Sequence, residues 1–156
     1  MAQQLKGKKL IVIGGTSGIG RSVAQLALQK GGSAVLIGRQ AAKLQSAVEA
    51  LQSYGPVVGE QADNSNPEER RALSDRLTSD HADVKLLVNS AGVFLPKSFL
   101  EHTEADYDLQ LDLNKATFFL TQTIAKNMVA HGHGGAIVNV GSMWAKQAVQ
   151  ATPSSA

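Results

Sequence analysis

One stretch near the start of the sequence decides the fold: Leu10-Ile11-Val12-Ile13-Gly14-Gly15-Thr16-Ser17-Gly18-Ile19-Gly20. Its apolar residues predict a strand, its glycines a turn, and the residues from Ile19 onward a helix. Gly14, Gly18 and Gly20 lack a Cβ atom where the turn needs unusual backbone angles and where an anion approaches the main chain. The first N–H groups of the helix have no partner within it. The stretch therefore predicts a phosphate-binding turn between a strand and a helix.

Apolar runs and segments of helical period alternate along the whole chain, and turn residues mark each change. This βαβα order predicts an α/β fold, a Rossmann-type doubly wound parallel sheet with helices on both faces. The predicted strands are Lys9 to Gly14, Ala34 to Gly38, Val57 to Gln61, Leu86 to Asn89 and Ala136 to Gly141. The predicted helices are Ile19 to Gln29, Ala41 to Tyr54, Pro67 to Thr78 and Ala105 to Ala130. The last strand would be an uncovered edge, followed by a loop from Met143 to Ala156, so the sheet is expected to be incomplete at the C-terminus.

Composition limits the possible classes of protein. A chain of 156 residues with 43% apolar residues can fill one core, so residues 1–156 are expected to form one domain. A net charge of +2 and an aromatic content of 4% argue against nucleic acid as a partner. Cysteine is absent, and no apolar run approaches the roughly 20 residues needed to span a bilayer. We expect a soluble cytoplasmic protein without a membrane partner.

The glycine turn has a second interpretation as the phosphate loop of an NTPase. Gly15 to Ser22 fits Gly-x-x-x-x-Gly-Lys-[Ser/Thr] except that Arg21 stands where the loop needs lysine. A guanidinium group does not replace that compact cation, and the strand Leu86 to Asn89 ends in asparagine rather than in the aspartate that would hold magnesium. The NTPase remains a less favoured alternative.

The end of the second strand bears on which dinucleotide the turn would bind. A dinucleotide fold usually places an acidic residue on the adenosine ribose about 20 residues after the turn. Here the chain has Gly38 and Arg39. Gly38 leaves room for a 2′-phosphate, and Arg39 can bind it with a charge-assisted fork. The sequence therefore favours NADP(H), with NAD(H) as the alternative.

With these features the sequence resembles the short-chain dehydrogenase/reductase family from Lys8 onward. The glycine turn is similar to the family's Thr-Gly-x-x-x-Gly-x-Gly loop, with Ile13 in place of threonine. Four further segments resemble its motifs in the right order, namely Ala62-Asp63-Asn64, Val88-Asn89-Ser90-Ala91-Gly92, Asp112-Leu113-Asn114 and Gly135-Ala-Ile-Val-Asn-Val-Gly-Ser142. By this resemblance the cofactor-binding residues are Gly14, Thr16, Ser17, Gly18, Ile19, Gly20, Arg39, Asp63, Asn64, Asn89, Ala91 and Gly92.

The resemblance also implies an activity, hydride transfer between a nicotinamide and a small alcohol or carbonyl substrate. Ser142 would orient the substrate oxygen, and Asn114 would hold a water in the proton relay. The longest predicted helix would pair across a subunit interface, which implies a homodimer or homotetramer. The family's Tyr-x-x-x-Lys acid/base pair, expected a little more than a dozen residues beyond the serine, is not among these 156 residues.

Three hypotheses follow for the chain. The first is that it is the N-terminal, cofactor-binding part of such an oxidoreductase. The second is a truncated chain that binds nucleotide without catalysis, and the third is the NTPase. A metal site is not expected, because His131 and His133 have no third ligand nearby in the sequence.

Overall fold

The computed structural model of the chain describes residues 4–94, 96–132 and 134–142. The strands in these ranges are β1 Lys9–Ile13, β2 Ser33–Gly38, β3 Val57–Gln61, β4 Val84–Asn89 and β5 Ala136–Asn139. The α-helices are α1 Gly18–Gln29, α2 Ala41–Leu51, α3 Pro67–Asp80 and α4 Glu104–Ala130, and a short 3₁₀ helix spans Phe99–Glu101. The predicted alternation of strands and helices is confirmed.

The strands form one parallel sheet in the order β3-β2-β1-β4-β5. The chain builds the sheet outward from β1 to β3, then returns to the other side of β1 for β4 and β5. Ile13 at the end of β1 lies opposite Ile37 of β2 and Asn89 of β4. The carboxyl ends of these strands therefore meet at one edge, and the reversal of strand order between β1 and β4 opens a crevice there. This is the predicted Rossmann-type fold.

Helices cover both faces of the central strands because alternate residues of each strand point to opposite sides. Ile11 and Ile13 pack with α3 and α4 in one apolar cluster, and Leu10 and Val12 pack with α1 and α2 in the other. All four side chains are buried. The run of apolar residues that predicted β1 is thus a strand buried on both faces.

Helix α4 begins at a capping box. Thr103 accepts from the Asp106 main-chain nitrogen, and the Asp106 carboxylate accepts from the Thr103 nitrogen at 2.9 Å. Leu120 and Ile124 on its inner face are buried, whereas Phe118 on the outer face is 64% exposed. Among the described residues, α4 therefore has a buried inner face and an outer face with exposed apolar side chains.

The largest difference in helix bounds concerns α2, which the sequence predicts to reach Tyr54 but which ends at Leu51. The Tyr54 nitrogen donates to the Leu51 carbonyl three residues back, so the last turn is tighter than an α-helix. Gly55 then has φ +157° and is followed by Pro56, which cannot continue a helix. The other bounds differ from the predicted ones by one or two residues, and the 3₁₀ helix was not predicted.

Strand β5 lies at one edge of the sheet, as predicted. It ends at Asn139 rather than at Gly141, because its partner β4 ends at Asn89, directly opposite. Every residue of β5 is exposed, including Ile137 and Val138 on opposite faces. The described helices therefore leave both faces of this edge open. The predicted loop at 143–156 lies outside the described residues.

Candidate functional site

The glycine turn joins β1 to α1 and lies against the end of β4. Gly14 has φ +81°, and a Cβ atom on it would lie 2.6 Å from the Ala91 nitrogen. The Ser90 hydroxyl donates to the carbonyls of Ile13 at 3.0 Å and Gly14 at 3.2 Å. A Cβ atom on Gly20 would collide with the Gly14 carbonyl and the Ser90 hydroxyl. Glycine at positions 14 and 20 thus allows the main chains of the turn, of α1 and of the end of β4 to come into direct contact.

The start of α1 is suited to hold an anion. Its N-cap Ser17 has an extended backbone and makes no side-chain capping bond, and the first turn carries no acidic side chain. The first N–H groups of the helix are therefore open to a ligand, and the helix dipole adds partial positive charge at this end. Arg21, the residue in the NTPase lysine position, is exposed and does not line the cleft described next.

A cleft of about 410 Å³ runs along the carboxyl ends of the strands. Its walls are the glycine turn, the segments after β2 and β3, and the segment after β4 with one turn of α4. It is lined by most of the predicted cofactor-binding residues, namely Gly14, Thr16, Ser17, Gly18, Ile19, Arg39, Asp63, Asn64, Ala91 and Gly92. Four predicted site residues do not line it, namely Gly20, Asn89, Asn114 and Ser142.

The end of the cleft over β2 and β3 carries opposite charges. Arg39 and Lys43 line it, and both are exposed. Asp63 follows β3 and accepts from the Ser65 hydroxyl at 2.6 Å. This hydrogen bond, the Ser65 main-chain N–H and the charge of Arg39 together hold the pKa of Asp63 below its ordinary value, against the opposing effect of burial. Asp63 is therefore ionised at neutral pH and lies within the electrostatic range of Arg39.

Gly38 has a structural role that the sequence did not reveal. A Cβ atom on Gly38 would lie 2.5 Å from the methyl carbon of Thr16. The sequence interpretation was that this glycine leaves room for a 2′-phosphate, but the Thr16 methyl group occupies the space next to it. Glycine at this position serves the packing of the glycine turn against β2.

Asn89, a predicted cofactor-binding residue, is buried at the end of β4 and is only 5% exposed. Its side-chain nitrogen donates to the Thr121 hydroxyl on α4 at 2.9 Å and to the Asn139 side-chain oxygen on β5 at 2.6 Å. Its side-chain oxygen is buried and has no hydrogen-bond partner within the described residues. Asn89 thus connects β4, β5 and α4 below the cleft.

One predicted catalytic residue lies on α4 and the other follows β5, and Asn89 is hydrogen-bonded to both of these elements. Asn114 is exposed on α4, next to Leu113, which lines the cleft. Ser142 is exposed three residues beyond Asn139 of β5. Asn114 therefore lies on a helix that lines the cleft, whereas Ser142 lies beyond the end of β5, which contributes no residue to the cleft lining.

Several lining residues were missed by the sequence analysis, namely Ile37, Gln40, Lys43, Ala62, Ser65, Val93, Leu109 and Leu113. Lys43 is the most informative, because it adds a second cation beside Arg39. Its position in the first turn of a helix that begins just after Arg39 is a signal that could have identified it.

Neither a metal-binding cluster nor a membrane-spanning helix is found among the described residues. The described residues hold no group of three or more His, Asp or Glu side chains that could bind a metal ion. His133, one member of the pair considered above, lies outside the described residues. Among the helices described, none is long and apolar enough to cross a membrane.

The sequence and the fold both match known proteins. Residues 8–154 match the short chain dehydrogenase family. L-xylulose reductase of Homo sapiens is 34% identical over 146 residues, which cover 93% of this chain and 57% of the reductase. 2-Dehydro-3-deoxy-D-gluconate 5-dehydrogenase of Escherichia coli (strain K12) is 32% identical over 155 residues, or 98% of this chain and 60% of that enzyme.

The fold of the chain also matches that of a solved reductase structure. The L-sorbose reductase of Gluconobacter frateurii, determined as a complex with NADPH and L-sorbose, superposes with a TM-score of 0.90 at 27% identity. The superposition covers 99% of this chain and 60% of the reductase. The chain spans between 54% and 60% of the length of the first relatives that it matches. By the extent of these matches, the chain belongs to the short-chain dehydrogenase/reductase family.

Proposed function

We propose that the cleft binds NADP(H) and that the chain is the cofactor-binding part of an oxidoreductase acting on an alcohol or carbonyl compound. The observation that carries the proposal is the juxtaposition, in one cleft, of the open N-terminus of α1 with Arg39 and Lys43. The helix N-terminus takes the pyrophosphate, because its free N–H groups and dipole favour an anion. The cations then lie where the adenosine half would extend, over β2 and β3.

The residues at that end fit the adenosine half of NADP(H). A 2′-phosphate would gain charge-assisted hydrogen bonds from Arg39 and the charge of Lys43. The Asn64 side-chain oxygen is buried without a hydrogen-bond partner in the described part of the chain, and a ligand amino group there would satisfy it. NAD(H) is the alternative, and it would leave the two cations without a phosphate to bind.

The other half of the dinucleotide would extend toward Gly92, Val93 and Leu113, and a bound nicotinamide would supply or accept the hydride. In this proposal Ser142 donates a hydrogen bond to the substrate oxygen and Asn114 holds a water for proton transfer. The second candidate is a chain that binds NADP(H) without catalysis, which the cleft alone would support.

We further propose that the chain forms a homodimer or homotetramer through the outer face of α4. Leu111, Phe118 and Val129 on that helix are 47%, 64% and 81% exposed, which is unusual for three large apolar side chains on one helix. Residues 1–156 as one domain and a cytoplasmic location stay predictions from the sequence.

Fluorescence titration with NADPH and NADH tests the cofactor proposal. We expect Arg39→Ala to raise the Kd for NADPH by about 10- to 100-fold, since a charge-assisted hydrogen bond contributes roughly 1.5–3 kcal/mol. The Kd for NADH should change by less than about threefold, because NADH lacks the 2′-phosphate. Lys43→Ala should show the same selectivity with a smaller effect. Arg21→Ala is the matched control, since this exposed arginine is near the turn but does not line the cleft.

Equal losses for NADPH and NADH in Arg39→Ala would refute the role in binding the 2′-phosphate. A panel of carbonyl compounds with NADPH separates the two candidates. The panel begins with keto sugars, because L-xylulose reductase and L-sorbose reductase are similar to this chain. Turnover supports the oxidoreductase, and tight NADPH binding without turnover on any compound supports the second candidate.

A further inference from the structure

Helix α4 carries a buried amide beside the cleft. Gln110 is 9% exposed, and its side-chain nitrogen donates to the main-chain carbonyl of Val93 at 3.3 Å. Leu109 and Leu113, on the same turn of the helix, line the cleft. A buried amide is costly unless it is hydrogen-bonded, so a glutamine at this place needs the contact it makes.

The segment that Gln110 contacts lies beyond the end of β4. Ala91, Gly92 and Val93 follow β4, belong to no helix or strand, and line the cleft. In the described ranges the main-chain hydrogen bonds of β4 with its neighbours stop at Ser90, whose nitrogen donates to Ile13 at 2.9 Å. The Gln110 amide therefore provides a tether between this segment and α4, 17 residues further along the chain.

We propose that Gln110 is a positioning residue for the nicotinamide half of the dinucleotide, an inference that rests on the proposed function. The cations over β2 and the helix N-terminus take the 2′-phosphate and the pyrophosphate, so the remaining half extends between the segment after β4 and α4. The hydrogen bond from Gln110 to Val93 sets the separation of these two walls. Gln110 does not line the cleft and acts through the Val93 carbonyl.

The test compares two ligands that share one half of the site. NADPH occupies both halves, whereas adenosine 2′,5′-bisphosphate occupies only the half over β2. Gln110→Met keeps the length of the side chain and removes the donor. We expect the Kd for NADPH to rise about fivefold to tenfold, the effect of one lost neutral hydrogen bond. The Kd for adenosine 2′,5′-bisphosphate should change by less than about twofold.

Asn127 offers a matched control on the same helix. It is 6% exposed, and its side-chain nitrogen donates to the Leu77 carbonyl of α3, also at 3.3 Å. Asn127→Leu removes an equivalent buried hydrogen bond away from the cleft. It should lower the stability to urea as Gln110→Met does, while leaving both dissociation constants unchanged.

The outcomes separate this inference from the proposed function. If the unmodified protein binds neither ligand, the proposed function fails and the inference fails with it. If it binds both but Gln110→Met weakens both equally or neither, only the inference is overturned. The same holds if Asn127→Leu reproduces the selective loss. If Gln110→Met does not fold, the unmodified protein still allows a test by NMR. The signals of the Gln110 side-chain amide should shift when NADPH is added and should not shift with adenosine 2′,5′-bisphosphate. Unchanged signals with NADPH would overturn the inference.

Discussion

Alanine substitutions at three glycines around the cleft should have graded effects on stability. Gly92 has no positive φ and would have open space around a Cβ atom, whereas Gly18 has open space but φ +52°. Gly14 has φ +81°, and its Cβ atom would lie 2.6 Å, 2.7 Å and 2.9 Å from main-chain atoms of Ala91 and Ser90. Relative to Gly92→Ala, Gly18→Ala therefore adds the cost of a left-handed backbone conformation. Gly14→Ala adds that cost and a steric collision with the main chain.

The magnitudes follow from these environments. Gly92→Ala should change the free energy of unfolding by no more than about 0.5 kcal/mol. Gly18→Ala incurs roughly 1–2 kcal/mol for the left-handed conformation, offset by about 0.4–1 kcal/mol from the stiffer unfolded chain. Gly14→Ala adds an overpacking cost of roughly 1–3 kcal/mol, because the main chain that it meets cannot rotate away. We expect net losses of about 1 kcal/mol for Gly18→Ala and about 2–4 kcal/mol for Gly14→Ala.

Urea unfolding followed by far-ultraviolet circular dichroism measures the free energy of unfolding of each variant relative to the unmodified protein, and it needs no ligand. The slope with urea should be the same for each variant, so the midpoints report stability directly. If Gly14→Ala and Gly18→Ala agree within about 0.5 kcal/mol, the close contact between the glycine turn and the segment after β4 does not exist as described.

Two further predictions concern the Asp63 carboxylate and the outer face of α4. The pKa of Asp63 is lowered first by the hydrogen bond from Ser65, so its ionised form stabilises the folded state above about pH 4, and that stabilisation is lost as the pH falls below this value. Ser65→Ala should therefore reduce the loss of stability between about pH 4 and pH 2, and identical urea midpoints for the two proteins across this range would contradict the assignment. Phe118→Glu should convert the proposed homo-oligomer to monomer in sedimentation velocity, whereas a wild-type protein that sediments as a monomer at every concentration would disprove that interface.

The fold was largely predictable because its signals are local. The apolar run of β1, the glycine turn and the period of α1 lie within one stretch of about 20 residues, a typical length for such a unit. The elements that differ in length end through contacts that the periodicity does not reveal. Helix α2 stops at Leu51 because Tyr54 makes a tighter turn, and β4 begins at Val84, where it pairs with Lys9 of β1.

The site was predicted less completely because its decisive contacts are distant in sequence. Asn89 belongs to a motif that implies cofactor contact, yet its side chain points to Thr121 and Asn139. Apolar residues of β4 pack into the core clusters on both sides of the sheet, so the sequence does not reveal which face is covered by α4. Ser90 and Gly14 are 76 residues apart, and their contact exists only once β1 and β4 are neighbours.

The contact between Gly38 and Thr16 has a consequence for changing the nucleotide preference by design. A carboxylate at position 38, which would favour an unphosphorylated ribose, needs a Cβ atom that would lie only 2.5 Å from the Thr16 methyl carbon. Serine at position 16 would remove that methyl group and keep the hydroxyl. The two positions are therefore coupled, and single substitutions at residue 38 would underestimate how readily the preference can be changed. An engineering library for this cleft should vary residues 16 and 38 together, since the useful combinations include members that fail when made one at a time.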